Sequence, residues 1–173
     1  MSPYDERCPD CGFRWSAVDV ADVPDRVRGA TEEIIATLSA MGLRVGERMA
    51  PGRWSALEYG GHVRDVLVSL RERVLLACAS PEIAVAPSMF RDERVDLGFY
   101  ARDTLESVTG ELRALAALFG RTVACVPATL LERTVLFPGR AEPVSVAWLA
   151  AQAVHECEHH LGDVRDDLAR TMA

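Results

Sequence analysis

The last apolar run of the chain constrains its fold more than any other feature. Ala147, Ala150, Val154, Cys157, Leu161, Val164 and Leu168 recur at intervals of three and four. From about Ser145 to Thr171 one stripe therefore follows a helix without a break. Such a stripe is a seam that must lie against other helices, which predicts an all-α chain built as a helix bundle. Three further segments supply the partners. Residues from about Pro24 to Ala40 place Val27, Ile34, Ile35 and Leu38 at helical spacing, with Asp22 as a cap and Pro24 in the first turn. Ser55-Ala56-Leu57-Glu58 is a capping box that opens a second helix. That helix carries Val63, Leu67, Leu70, Val74 and Ala77 and ends near Ala79, ahead of Pro81. A third helix, from about Asp103 to Phe119, uses Leu105, Val108, Leu112, Leu115 and Leu118, with Gly120 as its stop signal.

Residues 122 to 144 do not fit a helix: a Thr-Val-Leu-Phe run, then Pro138-Gly139 and Pro143-Val144, read as a short hairpin or an extended crossover before the last helix. The expectation is a four-helix bundle over 21–173 with one decorated crossover, preceded by an N-terminal cysteine segment over 1–20. A chain of 173 residues, 49% of them apolar, suffices to bury one core.

Composition removes several function classes. The net charge of −7 argues against a nucleic-acid partner. No apolar run approaches ~18 residues and no basic-then-apolar start is present, so neither a membrane span nor a secretory leader is expected. All 19 basic residues are Arg. Without lysine, Schiff-base chemistry, pyridoxal-phosphate attachment, a P-loop and a kinase-type site are excluded. An odd number of cysteines, three of them scattered in apolar context, does not form a secreted disulfide framework, and a reducing cytoplasm is the expected location. Cys78 and Cys157 read as small core residues.

Three of the four histidines fall in His155-Glu156-Cys157-Glu158-His159-His160. At ~100° per residue, Glu156 and His160 lie one turn apart on the border of the seam. His155 and His159 form a second pair that faces outward. The fourth, His62, borders the stripe of the second helix. Two imidazoles and a carboxylate from two packed helices are what a metal site in a bundle needs, and three protein ligands leave a coordination position open. The bland alternative is a polar helix end, solvated or paired with Arg64 and Arg165.

These residues are familiar in combination. Arg53-Trp54-Ser55-Ala56-Leu57-Glu58 followed by Gly61-His62-Val63-Arg64-Asp65-Val66 resembles the second-helix motif of the DinB superfamily. His155 through Val164 resembles its final-helix motif, and the likeness spans roughly residues 20 to 171. The resemblance implies an up-down-down-up bundle whose metal is held by one residue of the second helix and two of the last. At matching positions these are His62, Glu156 and His160. The middle ligand is histidine in many members. Glutamate here is similar to the mycothiol-dependent maleylpyruvate isomerase branch, and it makes the site harder, admitting zinc, nickel, manganese or iron. The resemblance further implies a metal-assisted reaction of a low-molecular-weight thiol with a small-molecule substrate, and dimers are common in the family. Glu158 or His159 would move protons at the rim, and Asp65 would orient the His62 imidazole. Water in place of the thiol would make the same site a hydrolase. A third reading is a non-catalytic metal-binding or interaction protein.

Cys8-Pro9-Asp10-Cys11-Gly12-Phe13 looks like one knuckle of a zinc ribbon without its second half. Four readings stand open: a vestige packed on the bundle, half of a Cys₂His₂ zinc site completed by His155 and His159, a redox pair, or half of an intersubunit site. Trp15, Trp54 and Trp148 are expected to pack. Arg53, Arg133 and Arg140 are either solvated or available to an anionic substrate. Asp163, Asp166 and Asp167 read as a solvated face, with Asp163 also placed to orient His160.

Overall fold

The computed structural model describes residues 6–172; of the N-terminal segment 1–20, residues 1–5 lie outside it. Helices α1 (Val23–Met41), α2 (Ala56–Ala79), α3 (Arg91–Asp96), α4 (Leu105–Ala124) and α5 (Val146–Thr171) follow in order. Three short strands, β1 (Ala84–Val85), β2 (Thr134–Leu136) and β3 (Val144–Ser145), make one small sheet.

Cross-helix pairs fix the direction of each long helix. Arg26 meets Glu158 and Glu33 meets Arg165, so α1 and α5 run parallel. Arg53 meets Asp167 while His62 meets Glu156, so α2 is antiparallel to α5. Arg64 bonds Glu111 and Arg71 bonds Thr122, so α4 runs parallel to α2. The bundle is up-down-down-up, with α1 and α2 each packed on both α4 and α5. Parallel neighbours α2 and α4 require the chain to return the full length of the bundle. Residues 80–104 make that return as a strap containing β1, α3 and a turn at Tyr100–Arg102. The long crossover therefore precedes α4, one connection earlier than the sequence suggested. The segment before α5 is the expected hairpin: β2 pairs antiparallel with β3 (Thr134↔Ser145, Val135↔Val144) and parallel with β1 (Ala84↔Val135).

The predicted stripes form the core, with Val27, Ile34, Leu38, Val63, Val74, Leu112, Val154, Cys157 and Val164 all inaccessible. Cys78 sits half-buried at its edge. The Ser55 capping box is present in both directions, with Glu58 N–H on Ser55 Oγ at 3.2 Å and Ser55 N–H on Glu58 Oε2 at 2.7 Å. Two expectations at helix ends are corrected. The Asp22 side chain caps nothing; Asp19 caps the preceding turn through Ala21 N–H. Gly120 does not stop α4, which continues to Ala124. A Cβ at Gly120 would lie 3.2 Å from Pro24 Cβ and 3.3 Å from its Cα, so glycine serves there to let α4 approach the start of α1.

No helix among the described residues is long and apolar enough to cross a membrane.

Candidate metal centre

The antiparallel crossing of α2 and α5 decides the site. It brings His62, one turn beyond the capping box, opposite Glu156 and His160. His62 Nε2 lies 3.5 Å and His160 Nε2 3.4 Å from the same oxygen, Glu156 Oε2. One ligand atom from each of the three residues lies within 4.8 Å of the others. Trp54 presents an edge to His62 (ring centroids 5.3 Å apart) and Tyr59 lies beside His160 (5.4 Å). The tryptophans thus pack, as expected, and Trp54 packs on the site itself.

Second contacts aim these groups. Asp163 Oδ2 is 2.9 Å from His160 Nδ1, which leaves Nε2 to face Glu156. Gln152 Nε2 donates to Glu156 Oε1 at 2.6 Å, and Trp15 Nε1 donates to Gln152 Oε1 at 2.7 Å. Sequence reasoning misses Gln152. Its one signal is a lone amide in the apolar run Val146–Val154, one helical turn before Glu156.

Burial would raise the Glu156 carboxyl, but the bonds and charges of His160 and His62 outweigh it and hold it well below the usual range. Burial also opposes a charged His160, yet Asp163 and Glu156 together push it up. At His62 desolvation wins over Glu156, so its pKa is lowered. Its Nδ1 is buried without a partner. One ionised carboxylate and two imidazole nitrogens directed at a common point are a ligand set for a divalent cation, and they fit the metal that the resemblance implies.

His62 and Glu156 line a cleft of about 480 Å³ bounded by α2, the strap, the β2–β3 loop and α5, with His160 behind Glu156 and outside the lining. Arg73 and Arg91 line it. Arg73 is 5% exposed, donates to Pro87 O at 2.8 Å, rests on the Phe137 ring at 4.5 Å and leaves Nε unpartnered.

Several residues assigned from the sequence stand elsewhere. Asp65 pairs with Arg64 and Arg94, anchoring the strap, and does not reach His62 Nδ1. Glu158 is held by both arms of Arg26 at 2.9 Å, on the α1 side of α5. His159 has Nδ1 4.0 Å from Cys8 Sγ and Nε2 3.8 Å from Asp163, away from the cleft lining. His155 and His159 are not outward-facing, because residues 6–17 cover them: Phe13 and Trp15 lie tilted against His155, ring centroids 5.1 and 4.7 Å away. None of the three arginines offered to an anion is free. Arg53 bonds Asp167 and the Asp163 carbonyl, Arg133 bonds the Ser80 carbonyl at the end of α2, and Arg140 pairs with Glu6. Asp167 is fully buried and Asp163 half-buried, so of the expected solvated face only Asp166 is exposed.

This topology, with two imidazoles and a carboxylate converging between α2 and α5, defines a four-helix-bundle protein with a candidate metal pocket. The chain belongs to the DinB superfamily, whose family profile it matches over residues 19–164. Its fold is similar to YfiT from Bacillus subtilis, described as "a probable metal-dependent hydrolase with an unusual four-helix bundle topology". The TM-score is 0.72 at 16% identity, covering 86% of this chain and 87% of that one. No curated protein sequence matches the chain.

Proposed function

We propose that the chain is a metal-dependent enzyme that uses a low-molecular-weight thiol for transfer to, or isomerisation of, a small anionic molecule in the cytoplasm, where its five free cysteines stay reduced. The observation that carries this reading is the convergence of His62 and His160 on one oxygen of Glu156, with His62 and Glu156 lining an open cleft. His62, Glu156 and His160 would hold the ion. Bound there, a divalent metal supplies Lewis acidity and lowers the pKa of a thiol or water that reaches it.

The protein's own groups do the rest. Asp163 keeps His160 Nε2 directed inward, and Gln152 keeps Glu156 Oε2 free of other donors. Arg73, which lines the cleft and whose buried Nε has no partner, supplies a charged donor for a carboxylate. Glu158 and His159, committed to Arg26 and to the Cys8 side of α5, provide no base at the cluster. Either nucleophile would therefore depend on the metal to ionise, and a thiol, at pKa ~8.5 when free, starts nearer neutrality than water at ~15.7. A hydrolase on the same residues is the second reading, favoured by the fold likeness to YfiT.

Metal content per chain of protein purified without added metal tests the site, with His160→Ala beside the wild type. The variant is expected to hold one equivalent less. Protein that is metal-free and also fails to bind added Zn²⁺ or Ni²⁺ overturns the enzyme reading. Turnover that requires a small thiol supports transfer, whereas turnover in its absence assigns hydrolysis.

A further inference from the structure

The Cys8–Cys11 knuckle has no part in that site, yet the fold places it against α5. The turn closes through Gly12 N–H on Cys8 O and Cys8 N–H on Phe13 O, both 2.9 Å. Gly12 has φ +75°, and a Cβ there would stand 3.0 Å from Arg7 Nη2, so the tight return needs glycine. Cys8 is buried with Sγ 4.0 Å from His159 Nδ1. One ligand atom from each of Cys8, Cys11, His155 and His159 lies within 4.8 Å of the others.

A second observation concerns His155. Both its ring nitrogens are buried and neither has a hydrogen-bond partner. Glu156 Oε1, 3.9 Å from Nδ1, is already taken by Gln152. A buried imidazole with two idle nitrogens is a costly arrangement unless something else in the native protein engages it. A vestigial knuckle gives it no partner, and a Cys8–Cys11 redox pair gives neither histidine a role.

We propose that Cys8, Cys11, His155 and His159 bind a structural zinc ion that staples residues 6–17 across α5. Two thiolates and two imidazoles are a closed tetrahedral set of the kind zinc takes in structural sites, softer than the set offered by His62, Glu156 and His160. Its ligands alternate along α5 with those of the candidate metal centre: His155 precedes Glu156, and His159 precedes His160. The staple also holds Trp15 over α5, from which bonds run to Gln152 and on to Glu156. A closed structural site therefore buttresses the carboxylate of an open one.

The test is Co²⁺ titration of the full chain, reduced and stripped of metal. The wild type is expected to develop thiolate-to-cobalt charge transfer and the intense visible bands of tetrahedral Co²⁺, displaced by zinc. His62→Ala keeps this spectrum and the Cys8→Ser/Cys11→Ser double variant loses it. Should the double variant fail to fold, Cys11→Ser alone, at an exposed position, is expected to weaken the charge-transfer band with helical content intact. Absence of thiolate charge transfer in the reduced wild type overturns the proposal, as does a band unchanged by the serine variants. Loss of the open site in His160→Ala leaves the thiolate spectrum in place, so the two sites fail separately.

Discussion

Gln152 holds Glu156 by one oxygen, Nε2 to Oε1 at 2.6 Å, and so turns the other oxygen toward both His62 and His160. Gln152 is itself fixed by Trp15, which takes its carbonyl and leaves the amide NH₂ to face the carboxylate. Gln152→Leu keeps the volume and removes the donor. Groups that orient metal ligands typically contribute about 10- to 100-fold in affinity, and a loss of that size is expected in a calorimetric Zn²⁺ titration. Trp15→Phe is expected to act in the same direction and more weakly. Unchanged affinity in both would show that Glu156 is aimed by the helix alone.

Glu58 makes stability depend on acid. Burial would raise its carboxyl, but Arg48 and the Ser55 N–H outweigh it and lower it from the usual value of 4.5. A carboxyl depressed on folding binds fewer protons in the native state. Its contribution is therefore complete above the unfolded pKa and disappears as pH falls through the folded one. Glu58→Gln is expected to cost about 1–2 kcal/mol at pH 7, the scale of a lost cap and charge-assisted hydrogen bond. Urea unfolding at neutral pH and at successively lower pH checks this: the gap between variant and wild type should narrow below the ordinary glutamate range. A gap independent of pH would mean that the charge of Glu58 plays no part.

Much of the bundle is legible in the sequence because periodicity and capping are local. Ser55 and Glu58 interact within one turn, and Glu156 and His160 share a face whatever packs on it. What escapes depends on contacts distant in the chain. His155 looks outward on an isolated wheel and is mostly covered because residues 6–17 return over it. Proximity in sequence assigns Asp65 to His62, but Arg94, 29 residues on, claims it. Helical spacing puts Glu158 at the rim, whereas Arg26, 132 residues earlier, takes both its oxygens. In each case an arginine or an aromatic ring from another element decides between solvent and partner, and helical spacing carries no record of that.

Two glycines of α4 should respond oppositely to alanine. Gly110 is exposed, and a Cβ added there would meet nothing within 4 Å, so Gly110→Ala is expected to stabilise by about 0.5–1 kcal/mol through helix propensity. A Cβ added at Gly120 would lie 3.3 and 3.2 Å from the Cα and Cβ of Pro24. Proline near a helix start has little room to move, and an overpacked contact costs about 1–3 kcal/mol, more than the propensity gained. Gly120→Ala is expected to lower the thermal midpoint while Gly110→Ala raises it. A rise in both would return Gly120 to the role of a misplaced helix stop.

Arg73 is the residue on which recognition of an anion should turn. Its guanidinium is buried over Phe137, with one arm on the Pro87 carbonyl and Nε unengaged. Burial lowers its pKa, partly offset by Glu156, so the cation lacks a full complement of partners within the protein. A bound carboxylate would complete it. Charge-assisted hydrogen bonds contribute about 1.5–3 kcal/mol, equivalent to roughly 10- to 100-fold in affinity. Arg73→Gln is therefore expected to weaken binding of a simple dicarboxylate such as succinate by that factor, with metal content unchanged. Arg73→Lys should restore only part of it, because an ammonium cannot bond Pro87 and rest flat on Phe137 while also meeting a carboxylate as a fork. Calorimetry on the metal-loaded chain reads all three. If Arg73→Gln binds the dicarboxylate as wild type does, the guanidinium serves only to tie the strap to α2, and the anion-binding role passes to Arg91, which also lines the cleft.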